Sequence, residues 1–274
     1  MRDDSGGYTL VELLIAMSIA GLLITAIYQV YQMRQSSDLK QQLVVEMQEN
    51  IRAAVSLMKR EMRMTGYDPA ANDGEDSDEI TEIDNPEESA HTGIEKAGRG
   101  MIRFTFDYDA DSTTESDELI TYGFANEYDA DGNGTADAGA APLGRATGAG
   151  PLIPIAENIQ AVGFAYAFDH NHDGILDTDD GTADGHVIWA FDADPSDVNE
   201  TLDTNLESHS LLADAVPLSD IRAIRVWILA RTRAPIRGHV ENRTYAVGDR
   251  NISCVDNYPR RLVTATVYCR NMGL

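Results

Sequence analysis

The chain has 274 residues, with 46 acidic against 21 basic side chains, a formal net charge of −25, and 43% apolar residues. That apolar share excludes a wholly disordered chain, and the length suits one or two domains. The negative charge argues against nucleic acid as a direct ligand and against docking on anionic lipid through surface charge. A membrane helix stays open, because insertion depends on local apolar length.

The charge is unevenly spread. Residues 1–67 are neutral overall, residues 68–220 hold 36 acids and four bases, and residues 221–274 hold ten bases and three acids. A middle block this acidic either binds cations or repels itself in solvent.

In chain order, the first element is an apolar run at 13–33, LLIAMSIAGLLITAIYQVYQM, without a charge. At 1.5 Å per helical residue it is long enough to cross a hydrocarbon core of about 30 Å. A secretory signal peptide is the main competitor, but the following RQSSDLKQQLVVEMQEN offers no small-residue cleavage site and continues as helix. Glu12 sits at the edge of the run. Taken alone it is either a boundary charge in the headgroup region or a functional carboxylate.

Beyond the run, Leu39, Leu43, Met47, Ile51, Val55, Met58 and Met62 recur near a 3.6-residue period. Proline is absent before Pro69, and Gly66 offers a stop. One helix is expected from about Tyr8 to Thr65, its second half laying an apolar stripe on a globular head. Residues 72–100 have no apolar period and read as a solvated loop. Strands are expected at 102–107, 119–124, 158–168, 186–191, 221–232 and 262–269.

Three acidic loops interrupt these strands. DHNHDGILDTDD places Asp169, Asn171, Asp173, Ile175 (through its carbonyl), Asp177 and Asp180 at positions 1, 3, 5, 7, 9 and 12, with Gly174 at the sharp turn. That is the ligand spacing of a twelve-residue calcium loop, and hard oxygen donors suit calcium as a structural ion. DADGNGTAD repeats its start with Asp129, Asp131, Asn133 and Asp137 but has Ala140 at position 12. The third, Asp107, Asp109, Asp111, Glu115 and Glu118, lacks the glycine and joins two strands. Each also reads as a solvated acidic turn. His170 and His172, at ligand-skipping positions, are expected to face solvent. Cys254 and Cys269 are either two buried thiols or, in an oxidising compartment, a disulfide closing a 16-residue ring, worth about 3 kcal/mol. The chain carries no HExxH, CxxC, GxSxG or Walker A pattern, so no catalytic residues are assigned and an enzyme is not expected.

The string Gly6-Gly7-Tyr8-Thr9-Leu10-Val11-Glu12, followed by the apolar run, resembles the processing signal of type IV prepilins and pseudopilins. The resemblance implies cleavage by prepilin peptidase after Gly7, N-methylation of Tyr8, and a Glu12 that pairs with the N-terminal amine of a neighbouring subunit. The leader departs from the family in being close to neutral instead of basic. EMQENIRAAVSLMKREMRMTGYDPA (46–70) and the C-terminal RRLVTATVYCRN resemble PilW-like minor pilins.

The expected fold class is therefore α+β. A long N-terminal α-helical stem, transmembrane in its first half, packs on a mainly antiparallel β-sheet head. Its domains are a leader at 1–7, a stem at 8–66 with 13–33 in the membrane, and a β-rich head at 67–274. The resemblance implies a minor subunit that primes a type IV pilus or sits at its tip, serving adhesion or twitching motility. The expected partners are prepilin peptidase, other minor pilins, the major pilin, the inner-membrane assembly platform and a tip adhesin. The chain would be single-pass in the inner membrane before assembly and extracellular afterwards. A type II secretion pseudopilin is the nearest alternative. A membrane-anchored calcium-dependent enzyme or binding module is the alternative from another class.

Overall fold

The computed structural model describes residues 9–68, 93–109, 115, 117–182, 184–193 and 201–273. The chain divides into two compact units, Met1–Val45 and Glu46–Leu274. A single helix, α1 (Leu10–Met62), begins in the first unit and ends in the second.

Within the second unit the helix turns Met47, Ile51, Ala54, Met58 and Met62 inward, each buried. Their steps of four and three residues follow the 3.6-residue period, and they fall on the face anticipated from the sequence. Ala54, not Val55, lies at the centre of that stripe; Val55 is half-buried on its flank. Beyond the helix, Gly66 adopts φ +73. A Cβ there would also meet the Met272 side chain at 2.8 Å, so the stem's exit turn requires glycine.

The sheet follows as β1 (Ile94–Ala97), β2 (Ile102–Thr105), β3 (Leu119–Gly123), β4 (Ala141–Thr147), β5 (Ile153–Phe168), β6 (Ala190–Phe191), β7 (Thr201–Asn205), β8 (Leu211–Pro217), β9 (Ile221–Arg231) and β12 (Arg260–Tyr268). These ten strands form one sheet, and its named strands pair antiparallel. β10 (Glu241–Val247) and β11 (Arg250–Asp256) form a separate hairpin. β5 is the hub, joined to β4, β6 and β9. Its last eight side chains are all buried, so it reads as a continuous apolar run instead of an alternating one.

The expected strands at 102–107, 119–124 and 221–232 each contain an observed strand, those at 158–168 and 262–269 overlap strands that start earlier, at 153–168 and 260–268, and that at 186–191 shrinks to two residues. The solvated loop expected over 72–100 is corrected at its end. Ile94–Ala97 pairs with β2, and Ile94 and Ala97 are buried.

Candidate assembly stem and acidic loops

The helix opens on Thr9 and Glu12. Glu12 Oε2 accepts from the Thr9 backbone N–H and from its hydroxyl, both at 2.9 Å, and the Glu12 N–H donates to Thr9 Oγ1 at 3.3 Å. This is a capping box, which satisfies amide donors the first helical turn leaves open. The T-x-x-E spacing was visible in the sequence, but Thr9 was not singled out. Gly7 and Tyr8 lie outside the described residues.

From Leu10 to Met33 the large apolar side chains are exposed, including Leu10, Leu13, Leu14, Ile15, Ile24 and Ile27. This helix is long and apolar enough to cross a membrane, with a mean hydropathy of 2.4 over its best window and none of that window buried. Such a surface is stable in lipid or against neighbouring apolar helices, not in water.

At the other end of α1 sits a contact that sequence reasoning did not find. Buried Glu61 accepts from Tyr122 Oη on β3 and from Arg145 Nε on β4, the latter at 2.9 Å. Arg145 also donates to Thr147 Oγ1 at 2.7 Å. Burial, reinforced by the Glu61 carboxylate, pushes the Tyr122 hydroxyl far above its ordinary range, so it stays a donor. Tyr122 and Arg145 are 61 and 84 positions from Glu61 in sequence and carry no local signal.

Two of the acidic loops share one hydrogen-bond plan. Asp129 accepts from the N–H groups of Asn133 and Gly134 at 3.1 and 2.6 Å; Asp169 accepts from those of Asp173 and Gly174 at 3.1 and 3.0 Å. Asp131 and Asn171 each accept from the residue two further on, at 3.1 and 2.9 Å. Asn133 and Asp173 do the same to Thr135 and Ile175. Asp137 and Asp177 reach back to the N–H of Ala130 and His170. Positions 1, 3, 5 and 9 thus turn carboxylate or amide oxygens inward in both loops. The turn glycines Gly134 and Gly174 have φ +77 and +81. A Cβ on Gly134 would also strike the Val162 carbonyl at 2.3 Å.

Both loops are anchored to β5. Val162 donates to the Gly134 carbonyl and Ala136 to that of Gln160, at 2.8 and 2.9 Å. In the second loop, Asp177 donates to the Phe168 carbonyl at 2.8 Å. Burial pushes the Asp129 carboxyl up, while hydrogen bonds from Asn133 hold Asp131 down.

One position of the expected ligand set, Asp180, and two residues between the ligand positions, His170 and His172, make other contacts. Asp180 caps its own turn, accepting from the Thr182 N–H and hydroxyl at 2.9 Å each, which also lowers its pKa. The Ile175 side chain is exposed. His170 and His172 do not simply face solvent: their Nδ1 and Nε2 lie 2.8 and 3.1 Å from the two oxygens of buried Asp220, pinning the loop to the 3-10 turn Leu218–Asp220. In the third loop, Asp107, Asp109 and Glu118 bring ligand atoms within 4.8 Å of one another. Glu118 accepts from the N–H groups of Tyr108 and Glu115. Asp111 lies outside the described residues, and the Glu115 carboxylate is not part of that group.

The disulfide alternative is corrected. Cys254 and Cys269 are free and buried. Cys254 Sγ lies 3.7 Å from Gln160 Nε2, and Gln160 Oε1 lies 2.6 Å from Arg260 Nε, so Cys254 belongs to the Arg260 end of β12. Cys269 follows the opposite end of that nine-residue strand. At about 3.3 Å per residue the two ends are on the order of 30 Å apart, well beyond disulfide reach. Burial pushes the Cys269 thiol up to about 12, and raises that of Cys254.

Residues 2–28 match the family of the prokaryotic N-terminal methylation motif, and residues 140–271 match that of type IV pilus-assembly protein W. No curated protein matches the chain. Among solved structures, a type IV-like pilin from Thermus thermophilus overlaps 82% of this chain and 97% of its own, at 15% identity and a TM-score of 0.42. The methylation motif, the long apolar stem and the antiparallel head define a type IV pilin-like subunit. Within that class the chain is similar over residues 140–271 to the PilW-like type IV pilins. The motif implies processing by prepilin peptidase, membrane anchoring and assembly with other pilins.

Proposed function

We propose that the chain is a minor subunit that primes a type IV pilus or occupies its tip. The observation that carries this reading is the uncovered apolar helix from Leu10 to Met33, opened by the Thr9–Glu12 box, in a chain whose second compact unit is a β-rich head. After cleavage behind Gly7, the stem enters a bundle of pilin stems. Glu12 Oε1, which its own turn leaves open, meets the methylated amine of a neighbouring Tyr8. A charge pair of this kind is tolerable in an apolar bundle and fixes axial register. The large acidic head would repel identical copies, which favours a singular position over a repeating one. Other minor pilins, the major pilin, the inner-membrane platform and a tip adhesin are the partners of that position.

Cell fractionation tests the reading. The chain should appear in sheared surface filaments at a small fraction of the major subunit. Retention in the envelope while filaments are abundant would instead favour a secretion pseudopilus.

The loops at 129–137 and 169–177 are proposed as calcium clips on the two flanks of β5. Their matching inward oxygens at positions 1, 3, 5 and 9 support this. Asp107, Asp109 and Glu118 are proposed as a weaker third site. Millimolar extracellular calcium would fill weak sites of this sort. The ions would hold β5 connections in place, without a switching role.

A further inference from the structure

β12 pairs with β9 alone, and its other edge has no strand partner among the described residues. The register runs from Arg260↔Arg231 to Tyr268↔Ala223 without a shift. Just outside it, Cys269 N–H donates to the Arg222 carbonyl at 2.8 Å and Thr232 N–H to that of Pro259 at 3.0 Å. Both contacts place odd-numbered residues in the bonded pairs. Antiparallel pairing alternates, so Leu262, Thr264, Thr266 and Tyr268 turn their backbone N–H and C=O groups to the open edge. Natural edges are blunted by proline, bulges, short length or charged side chains. This one runs nine residues, RRLVTATVY, without proline or bulge and with its charges confined to Arg260 and Arg261 at one end.

Beside that edge lies a groove of about 290 Å³, lined by Ile51, Arg52, Val55 and Lys59 of α1 and by Arg261 and Val263 of β12. Arg52, Lys59 and Arg261 form no ion pair among the described residues. Three uncompensated cations around an apolar floor are unusual in a chain of net charge −25. They favour an anionic occupant, and the open edge favours an extended one.

We propose that an extended, acid-rich segment of a neighbouring filament subunit adds as a strand to β12. Its backbone pairs with the even-numbered residues of the edge. Alternate side chains enter the groove, carboxylates meeting Arg52, Lys59 and Arg261 and apolar groups meeting Ile51, Val55 and Val263. This rests on the reading of the chain as a filament subunit.

The test places a benzophenone amino acid at exposed Tyr268 of the full chain in cells, irradiates assembled filaments, and sequences the cross-linked peptide. The expected product joins Tyr268's position to an acid-rich segment of another subunit. It should fall about tenfold in Thr264→Pro, which removes an edge N–H outside the β9 ladder, and in the double variant Arg52→Glu/Arg261→Glu. The second variant keeps the test informative if the first fails to fold. Reversing the partner's acids to lysine should restore the product in the double variant. Cross-links to a stem helix or to lipid, a product unchanged in both variants, or no product in filaments that contain the chain would overturn the strand-addition proposal alone. Absence of the chain from filaments would overturn the subunit reading with it.

Discussion

Thr9 and Glu12 hold each other across the first turn of α1, with Glu12 Oε2 accepting both the Thr9 amide and hydroxyl at 2.9 Å. One carboxylate oxygen closes the helix start. In the proposed assembly the other meets a neighbouring chain. Glu12→Gln keeps the shape and part of the cap but loses the charge. It should leave cleavage after Gly7 intact while lowering filament incorporation at least tenfold, roughly the loss of one charge-assisted contact. Thr9→Ala should cost about 1 kcal/mol of helix start and lower incorporation less. Immunoblots of cleaved and filament-borne chain separate the two effects.

Glu61 ties the stem helix to β3 and β4 through Tyr122 and Arg145. Glu61→Ala strands a partly buried guanidinium and a fully buried phenol. It should destabilise the head by about 3 kcal/mol, whereas Tyr122→Phe, which leaves the Glu61–Arg145 pair, should cost about 1 kcal/mol. Denaturant unfolding of the detergent-solubilised chain measures both. Equal losses would contradict the assigned order.

The Asp256 carboxyl is held down at about 2, chiefly by Arg260, whose guanidinium lies 2.6 Å from both its oxygens. An ordinary aspartate titrates near 3.9. The folded state thus binds its proton less readily than the unfolded state. The contribution to stability is present above about pH 4 and is lost as pH falls toward 2. Asp256→Asn should be less stable at neutral pH and show a shallower loss over that window, read by thermal unfolding at stepped pH.

Both cysteines should alkylate only after denaturation, because burial holds Cys269 near 12 and raises Cys254. Intact mass after denaturing alkylation without reductant should show two adducts. A mass two hydrogens lighter and free of adducts would contradict the separation of the two thiols along β12.

Calcium at about 1 mM should raise the melting temperature of the solubilised chain by several degrees, with magnesium giving little, as expected for oxygen-rich sites of weak affinity. Asp129→Asn and Asp169→Asn should each remove part of the shift. No shift with calcium would contradict the clips.

The stem and several strands were legible in the sequence because their signals are local. The 47, 51, 58 and 62 positions carry the helical period, and 221–231 carries a strand run. β7, β8 and the β10–β11 hairpin were not legible, since their sequences alternate weakly and their burial depends on partners distant in the chain. The acidic loops were readable as turns from Asp, Asn and Gly spacing. What Asp180 and the two histidines contact was not, because Thr182 and Asp220 compete for them through the fold. The disulfide alternative failed for the same reason. Fifteen residues of sequence separation say nothing about a strand that carries the second cysteine to the other end of the sheet.

The central claim is that Tyr8 becomes the N-terminus of a filament subunit. Quantitative mass spectrometry of sheared filaments tests it most directly. The account predicts a peptide that begins at N-methylated Tyr8, present far below the major subunit. A chain that keeps Met1 or Arg2 at its terminus, or that never enters filaments, would contradict it.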